Sequence, residues 1–202
     1  MGKVPHGQIV TKTFPVLSAS STPDIDISSY KLRIYGEVEN EFEFSWEELM
    51  KMPMSKKIVD IHCVTRWSRL GDEWEGISLK YLLSRAKPKG SFLMLRSSYV
   101  GYSANVPMDY VNDECMVAFR FNGQPLENEH GGPVRAFIPT LYFWKSTKWL
   151  DGIEVMKEDK PGFWEKRGYN MRGDYNKEER YWNGLNFVNK LAFFGSRDKN
   201  EK

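Results

Sequence analysis

YKLRIYGEVENEFEFSWEELM, residues 30–50, sets the fold class of this chain. Leu32, Ile34 and Val38 alternate with charged neighbours around Gly36, a period of two that predicts a β-hairpin with one face in a core. Ser45 then opens S-W-E-E, where the hydroxyl can cap a helix and Glu48 can complete a capping box. A short helix over residues 46–50 should therefore follow the hairpin and end before Pro53.

Working outward, residues 1–29 are rich in Ser, Thr and Pro and read as an extended lead segment crossing the surface of a domain. Residues 57–63 (KIVDIHC) read as a buried strand, and the Gly/Trp-rich residues 66–76 as a loop. A helix over residues 79–86 is capped by Ser78 and stopped by Pro88. Strands are expected at 92–96, 116–121 and 149–156, with Asn122-Gly123 as a turn and a further apolar run at 134–139. Residues 157–184 mix charge, glycine and aromatics without a period, which predicts a long ordered loop, and residues 185–202 a short helix and charged tail. The expectation is an α+β, mostly β domain over residues 30–184 with a segment on each side.

Composition narrows the function classes. The 202 residues are 41% hydrophobic and 28% charged, ordinary values for one globular domain. Lys and Arg (29) nearly balance Asp and Glu (27), and the signs are interspersed, so no basic face for nucleic acid is indicated. No apolar run approaches the roughly 18 residues of a membrane span. The N-terminus shows no apolar core of a leader and no twin arginine, so a cytoplasmic location is expected. Seven Trp, ten Tyr and twelve Phe make 14% of the chain, enough to line a pocket as well as a core.

Cys63 is the first chemical candidate, because it ends an apolar strand and is followed by Arg66, whose guanidinium would favour the thiolate. Cys115, inside DECMVAF, reads as a small hydrophobe. The two cysteines form neither C-x-x-C nor C-x-x-C-H. If His62 shares a strand with Cys63, it faces the other way and is a poor base for that thiol. The densest constellation is EHGGPVRAFIPTLYFWKSTK, residues 129–148. His130 precedes Gly131-Gly132-Pro133, Arg135 can grip an anion bidentately, and Lys145 and Lys148 bracket the hydroxyls of Ser146 and Thr147. Two cations, two hydroxyls and backbone N–H groups suit a phosphate, and a solvated basic turn is the plainer alternative. There is no Walker loop, dinucleotide fingerprint, G-x-S-x-G elbow or outstanding carboxylate pair.

Five ordered motifs carry a family resemblance: HCVTRWSRLGDEWEG (62–76), AFRFNGQPL (118–126), EHGGPVRAFIP (129–139), YFWKSTKWLDGI (142–153) and PGFWEKRGYNMRGD (161–174). Together they resemble the molybdopterin-binding domain of the sulfite oxidase family, most of all its compact single-domain oxidoreductases, with kinship to the bacterial methionine-sulfoxide reductase catalytic subunit. The resemblance implies the sulfite oxidase-type molybdopterin-binding fold and a mononuclear Mo-molybdopterin, with Cys63 as the metal's thiolate ligand. It also implies cofactor contacts from Ser97, His130, Arg135, Ser146, Thr147 and Lys148, with Arg135 at the pterin phosphate.

Phe119 falls where sulfite oxidases carry a tyrosine in A-Y-x-x-N-G, and their sulfate-holding arginines are not clearly matched, although Arg66 is a partial substitute. Sulfite is therefore a doubtful substrate, while oxygen-atom or two-electron transfer on a small molecule (a sulfoxide, an N-oxide or a sulfite-like compound) is expected. Trp67, Trp74, Tyr102 and Trp144 are the expected pocket walls, or else plain core. No haem, flavin or iron–sulfur motif is present, so electrons should pass to or from a separate carrier. Two rival readings stay open: a cofactor-free thiol enzyme with Cys63 as nucleophile and His130 as base, and a non-catalytic relic of the fold. Oligomeric state is not legible in the sequence.

Overall fold

The hairpin and helix of residues 30–50 form as the pattern predicts. β2 (Lys31–Gly36) pairs antiparallel with β3 (Phe42–Ser45), and α1 (Trp46–Met50) starts from a complete capping box between Ser45 and Glu48. The computed structural model describes residues 4–182, so the helix and tail expected over 185–202 lie outside the described residues. The lead segment contributes β1 (Ile9–Val10). Then follow β4 (Ser55–His62), β5 (Trp67–Ser78), α2 (Leu79–Ala86), β6 (Phe92–Ser97), β7 (Tyr102–Pro107), β8 (Met116–Phe121), β9 (Gln124–Pro125), β10 (Arg135–Phe137) and β11 (Gly152–Met156).

These strands make two sheets. One has the order β3-β2-β11-β6-β7, with β2 and β11 parallel and the other pairs antiparallel. The other runs β1-β5-β8-β10, with β4 added on β5 and β9 on β8. The main core lies between the sheets, where Leu32, Leu95 and Ile153 of the first meet Ile77, Val117 and Phe119 of the second, with Leu82 and Leu83 of α2 packed in. On β8 alternate residues serve different cores: Val117 and Phe119 face this one, whereas Met116 and Ala118 join Trp74 and Phe137 on the far face. The architecture is α+β and mostly β.

Two parts of the sequence reading need correction. Residues 66–76 are not a loop: β5 is the longest strand, pairing with β4 from Ser55↔Gly76 to His62↔Ser68 and with β8 through Trp74–Ser78. Its polar residues misled because they are partnered inside the sheet, Arg69 with Asp72 (2.6 Å) and Asp72 with Asn122 (3.0 Å). Gly76 allows the close approach of β8, since a Cβ there would lie 2.1 Å from Val117 O. β7 had no readable alternation because its inward Asn105 is fully buried as a partner for Lys145 (2.7 Å). The Asn122-Gly123 turn joins β8 to β9 with both residues at positive φ, 47° and 76°. Among the described residues no helix is long and apolar enough to cross a membrane.

Candidate active site

Cys63 follows the last residue of β4, where the chain turns to start β5. Its N–H donates to Trp67 O (2.8 Å), its carbonyl accepts from Arg66 N–H (3.0 Å), and Arg66 adopts φ 75° to close the turn. The side chain is 7% exposed, and Sγ lies 3.1 Å from Thr65 Oγ1. Burial pushes the thiol up; the hydroxyl and amide of Thr65 and the charge of Arg180 pull the other way. Arg66 is exposed, and it is Arg180 rather than Arg66 whose charge bears on the thiol. His62 faces away from Cys63 and bonds Ser68 Oγ through Nδ1 (2.8 Å).

The basic constellation folds around Arg135. A 3-10 turn over Asn128–His130 ends at Gly131 (φ 101°), and the peptide between Gly132 and Pro133 is cis. Glycine is required at both positions: a Cβ on Gly131 would fall 2.8 Å from Lys148 Cβ, and one on Gly132 would fall 2.0 Å from Leu126 O. Arg135 is 1% exposed and donates to His130 O (2.6 Å) and Ser146 O (2.7 Å), with its guanidinium 4.2 Å from the Phe143 ring centroid. Its donors are all on backbone carbonyls rather than on a carboxylate among the described residues, and burial lowers its pKa to about 9. Lys148 donates to Glu129 O (2.6 Å) and is lowered to about 8 by burial and by Arg135. His130 is lowered to about 4 by burial, then by Arg135 and Lys148. Two cations and an imidazole meet here, and the carboxylate nearest the imidazole, Glu127 at 3.8 Å from His130 Nε2, is exposed, so the cluster is a local excess of positive charge without a buried counter-charge among the described residues.

Thiol and basic cluster open on one cavity of about 280 Å³, just below the roughly 300–1,000 Å³ usual for small-molecule sites. Of the residues singled out in the sequence, Cys63, His130, Arg135, Ser146 and Lys148 line it. Arg66, Ser97 and Thr147 do not. Thr147 supports from behind, accepting Ala136 N–H on its carbonyl (2.8 Å), while Ser97 Oγ is buried without a hydrogen-bond partner among the described residues. Trp67, Tyr102 and Trp144 are walls as expected, and the buried Trp67 N–H is also without a partner.

Three expected site features lie elsewhere. Trp74 is in the core, stacked on Phe137 at 4.2 Å. Lys145 contributes no charge to the cavity, because its Nζ is fully buried against Glu165 (2.6 Å), Asn105 and Met171 O. Phe119 packs edge-on against Trp46 in the main core (5.7 Å), so the absence of a tyrosine there says nothing about the cavity.

Sequence reasoning missed several walls. Phe14 stacks on His130 (3.9 Å, 9° between planes), and Pro15, Leu17, Ser18, Ala19 and Ser20 of the lead segment close one side. Trp164 and Tyr169 come from the long loop, with Trp164 stacked on Tyr169 at 4.9 Å. Only their aromatic character, inside a motif already noted, signalled them.

Residues 19–164 match the profile of the oxidoreductase molybdopterin binding domain. The chain belongs to this family. Among members and relatives of the oxidoreductase molybdopterin binding domain, it is 40% identical over 184 residues to the uncharacterized oxidoreductase YuiH of Bacillus subtilis, covering 89% of this chain and 92% of that one. It is 28% identical over 177 residues to the protein-methionine-sulfoxide reductase catalytic subunit MsrP of Campylobacter jejuni (78% of this chain, 59% of that one). Mitochondrial sulfite oxidase of Rattus norvegicus is 26% identical over 178 residues, spanning 73% of this chain and 33% of that protein. Among solved structures, the sulfane dehydrogenase SoxCD from Paracoccus pantotrophus superimposes with a TM-score of 0.61 at 25% identity, over 69% of this chain and 41% of that one.

Proposed function

We propose that this chain is a molybdenum-dependent oxidoreductase that binds a mononuclear Mo-molybdopterin in the cavity and transfers an oxygen atom or two electrons on a small substrate, exchanging electrons with a separate carrier. One observation carries the reading: a buried thiol and a buried guanidinium without a carboxylate line the same cavity. The residues fit such a group. Arg135, His130 and Lys148 would hold its phosphate, with the close-packed Gly131–Gly132 backbone beside them. Cys63 would supply the protein's sulfur ligand, and the partnerless indole N–H of Trp67, a cavity wall, is a donor a polar heterocycle can satisfy. Among the described residues no group of three or more His, Cys, Asp or Glu is placed to hold a metal ion, so a metal beside Cys63 would bring its other ligands with it.

When bound, the group supplies two-electron redox chemistry at a soft, sulfur-ligated metal. The chain's own part is to fix the thiolate, to hold the anion, and to exclude water with Trp67, Trp144, Trp164 and Tyr169. The rival thiol-enzyme reading finds less support, since burial raises the Cys63 thiol and no imidazole hydrogen-bonds it among the described residues.

Elemental and pterin analysis of protein from a molybdenum-replete host tests the proposal. About one molybdenum and one pterin per chain are expected. Cys63→Ser should retain pterin, because the anion anchor is intact, and lose turnover in a screen of sulfoxides, N-oxides and sulfite with artificial electron carriers. Repeated absence of both metal and pterin would overturn the assignment, as would full activity of metal-free protein.

A further inference from the structure

Two stretches outside the family match, residues 6–10 and 178–181, meet over the turn that carries Cys63. β1 runs alongside the start of β5, with Ile9 N–H donating to Arg66 O (2.9 Å) and Thr11 N–H to Ser68 O (2.9 Å). Gln8 Nε2 donates to the carbonyl of Cys63 itself (3.0 Å). From the other end of the chain, Arg180 Nη1 donates to the next carbonyl, Val64 O (2.7 Å), with its guanidinium 4.7 Å from the Tyr142 ring centroid. The stretches are tied to each other through Glu178, which bonds His6 Nδ1 (3.0 Å) and lies 3.9 Å from Arg180 Nη2.

We propose that Gln8 and Arg180 are positioning residues for Cys63, holding the carbonyls of Cys63 and Val64 so that the thiol keeps one direction at the cavity wall. This rests on Cys63 being the working group of the site. The turn needs such holds: within it the Cys63 and Arg66 amides make one backbone hydrogen bond each, Thr65 and Arg66 are exposed, and Arg66 sits in the left-handed region. The arginine is also not placed as one serving stability alone. Its side chain is 7% exposed, yet Nε and Nη2 lack hydrogen-bond partners among the described residues while Nη1 is committed to Val64 O. Glu178 meets the charge at 3.9 Å without a hydrogen bond, so part of the buried donor fork stays unsatisfied, a local cost of the kind that concentrates where function fixes a geometry.

Hydrogen–deuterium exchange of the full chain, with and without bound cofactor, reads the hold directly. Arg180→Met should speed exchange of the Cys63 and Arg66 amides on the order of ten-fold, and Gln8→Ala by a smaller factor, with β8 amides unchanged. Arg180→Lys, which can still donate to Val64 O, should recover part of the protection. The chain has two cysteines, so a Cys β-carbon labelled sample gives an internal control by NMR. The Cys63 signal should shift or broaden in Arg180→Met while that of Cys115, fully buried in the main core, stays. Wild-type exchange at the turn in both variants refutes the proposal. So does equal acceleration at the turn and in β8, which would mean a general structural role. Neither measurement needs molybdenum, so failure of the cofactor assignment and failure of this hold are separable.

Discussion

Replacing Lys145 by methionine removes the cation from a pair in which both side chains are fully buried. Glu165 would then keep only Trp144 Nε1 (2.7 Å) on Oε1, and its Oε2 already has no partner among the described residues. Stranding a buried carboxylate in this way costs about 3–5 kcal/mol. The reverse change, Glu165→Gln, is milder. Lys145 retains Asn105 O (2.9 Å), Asn105 Oδ1 (2.7 Å) and Met171 O (2.7 Å), so the loss is about 2 kcal/mol, one charge-assisted bond. Were the two independent, the double variant would lose about 6 kcal/mol; because the isolated charge disappears, about 3 kcal/mol is expected instead. Urea unfolding followed by tryptophan fluorescence measures all four corners of the cycle. Lys145→Met should also lower Tm by roughly 10 °C for a chain of this length. A Lys145→Met loss under about 1 kcal/mol, or a double variant matching the sum of the singles within about 0.5 kcal/mol, refutes the reasoning. The pair matters to the site because Glu165 also holds the indole of Trp144, a cavity wall, and sits between Trp164 and Tyr169 in the loop that supplies two more.

Two further outcomes are expected. Arg135→Ala should weaken cofactor retention by about 2–3 kcal/mol, seen as lost pterin after gel filtration; full occupancy would mean that the anchor lies elsewhere. His130 binds its proton less readily in the folded chain (pKa about 4) than at its ordinary value of 6.5, so the unfolded state takes up the proton first as pH falls. Stability from this group is therefore complete above about pH 6.5 and lost towards pH 4, at most about 3 kcal/mol. His130→Asn should flatten the pH profile of the urea midpoint over that window, and parallel profiles for the two proteins would exclude the effect.

The fold was readable where one physical rule acted alone. The period of two in residues 30–44 and the Ser45–Glu48 box give β2, β3 and α1 directly, because alternation and capping are local. β5 and β7 were not readable, because their buried polar residues, Asp72 and Asn105, break the apolar pattern and are satisfied by partners distant in sequence. At the site, Cys63, His130, Arg135, Ser146 and Lys148 were legible by residue type and motif and share one cavity. Lys145 looked equivalent to Lys148 three residues on, and the position of Glu165 decides that Lys145 is held in a buried ion pair while Lys148, bonded to Glu129 O, lines the cavity.

By itself, then, the sequence determined a mostly β domain with one candidate thiol and one basic constellation, and its motifs named the family, since periodicity, caps and ordered short motifs are properties of neighbouring residues. Tertiary structure alone decided which cations face the cavity and which are buried in pairs, that Phe119 belongs to the core, and that Phe14, Trp164 and Tyr169 are walls. It also brought Gln8 and Arg180, 172 positions apart, onto adjacent carbonyls at Cys63 and Val64. Burial and counter-charge depend on residues far apart along the chain, and no local pattern encodes them.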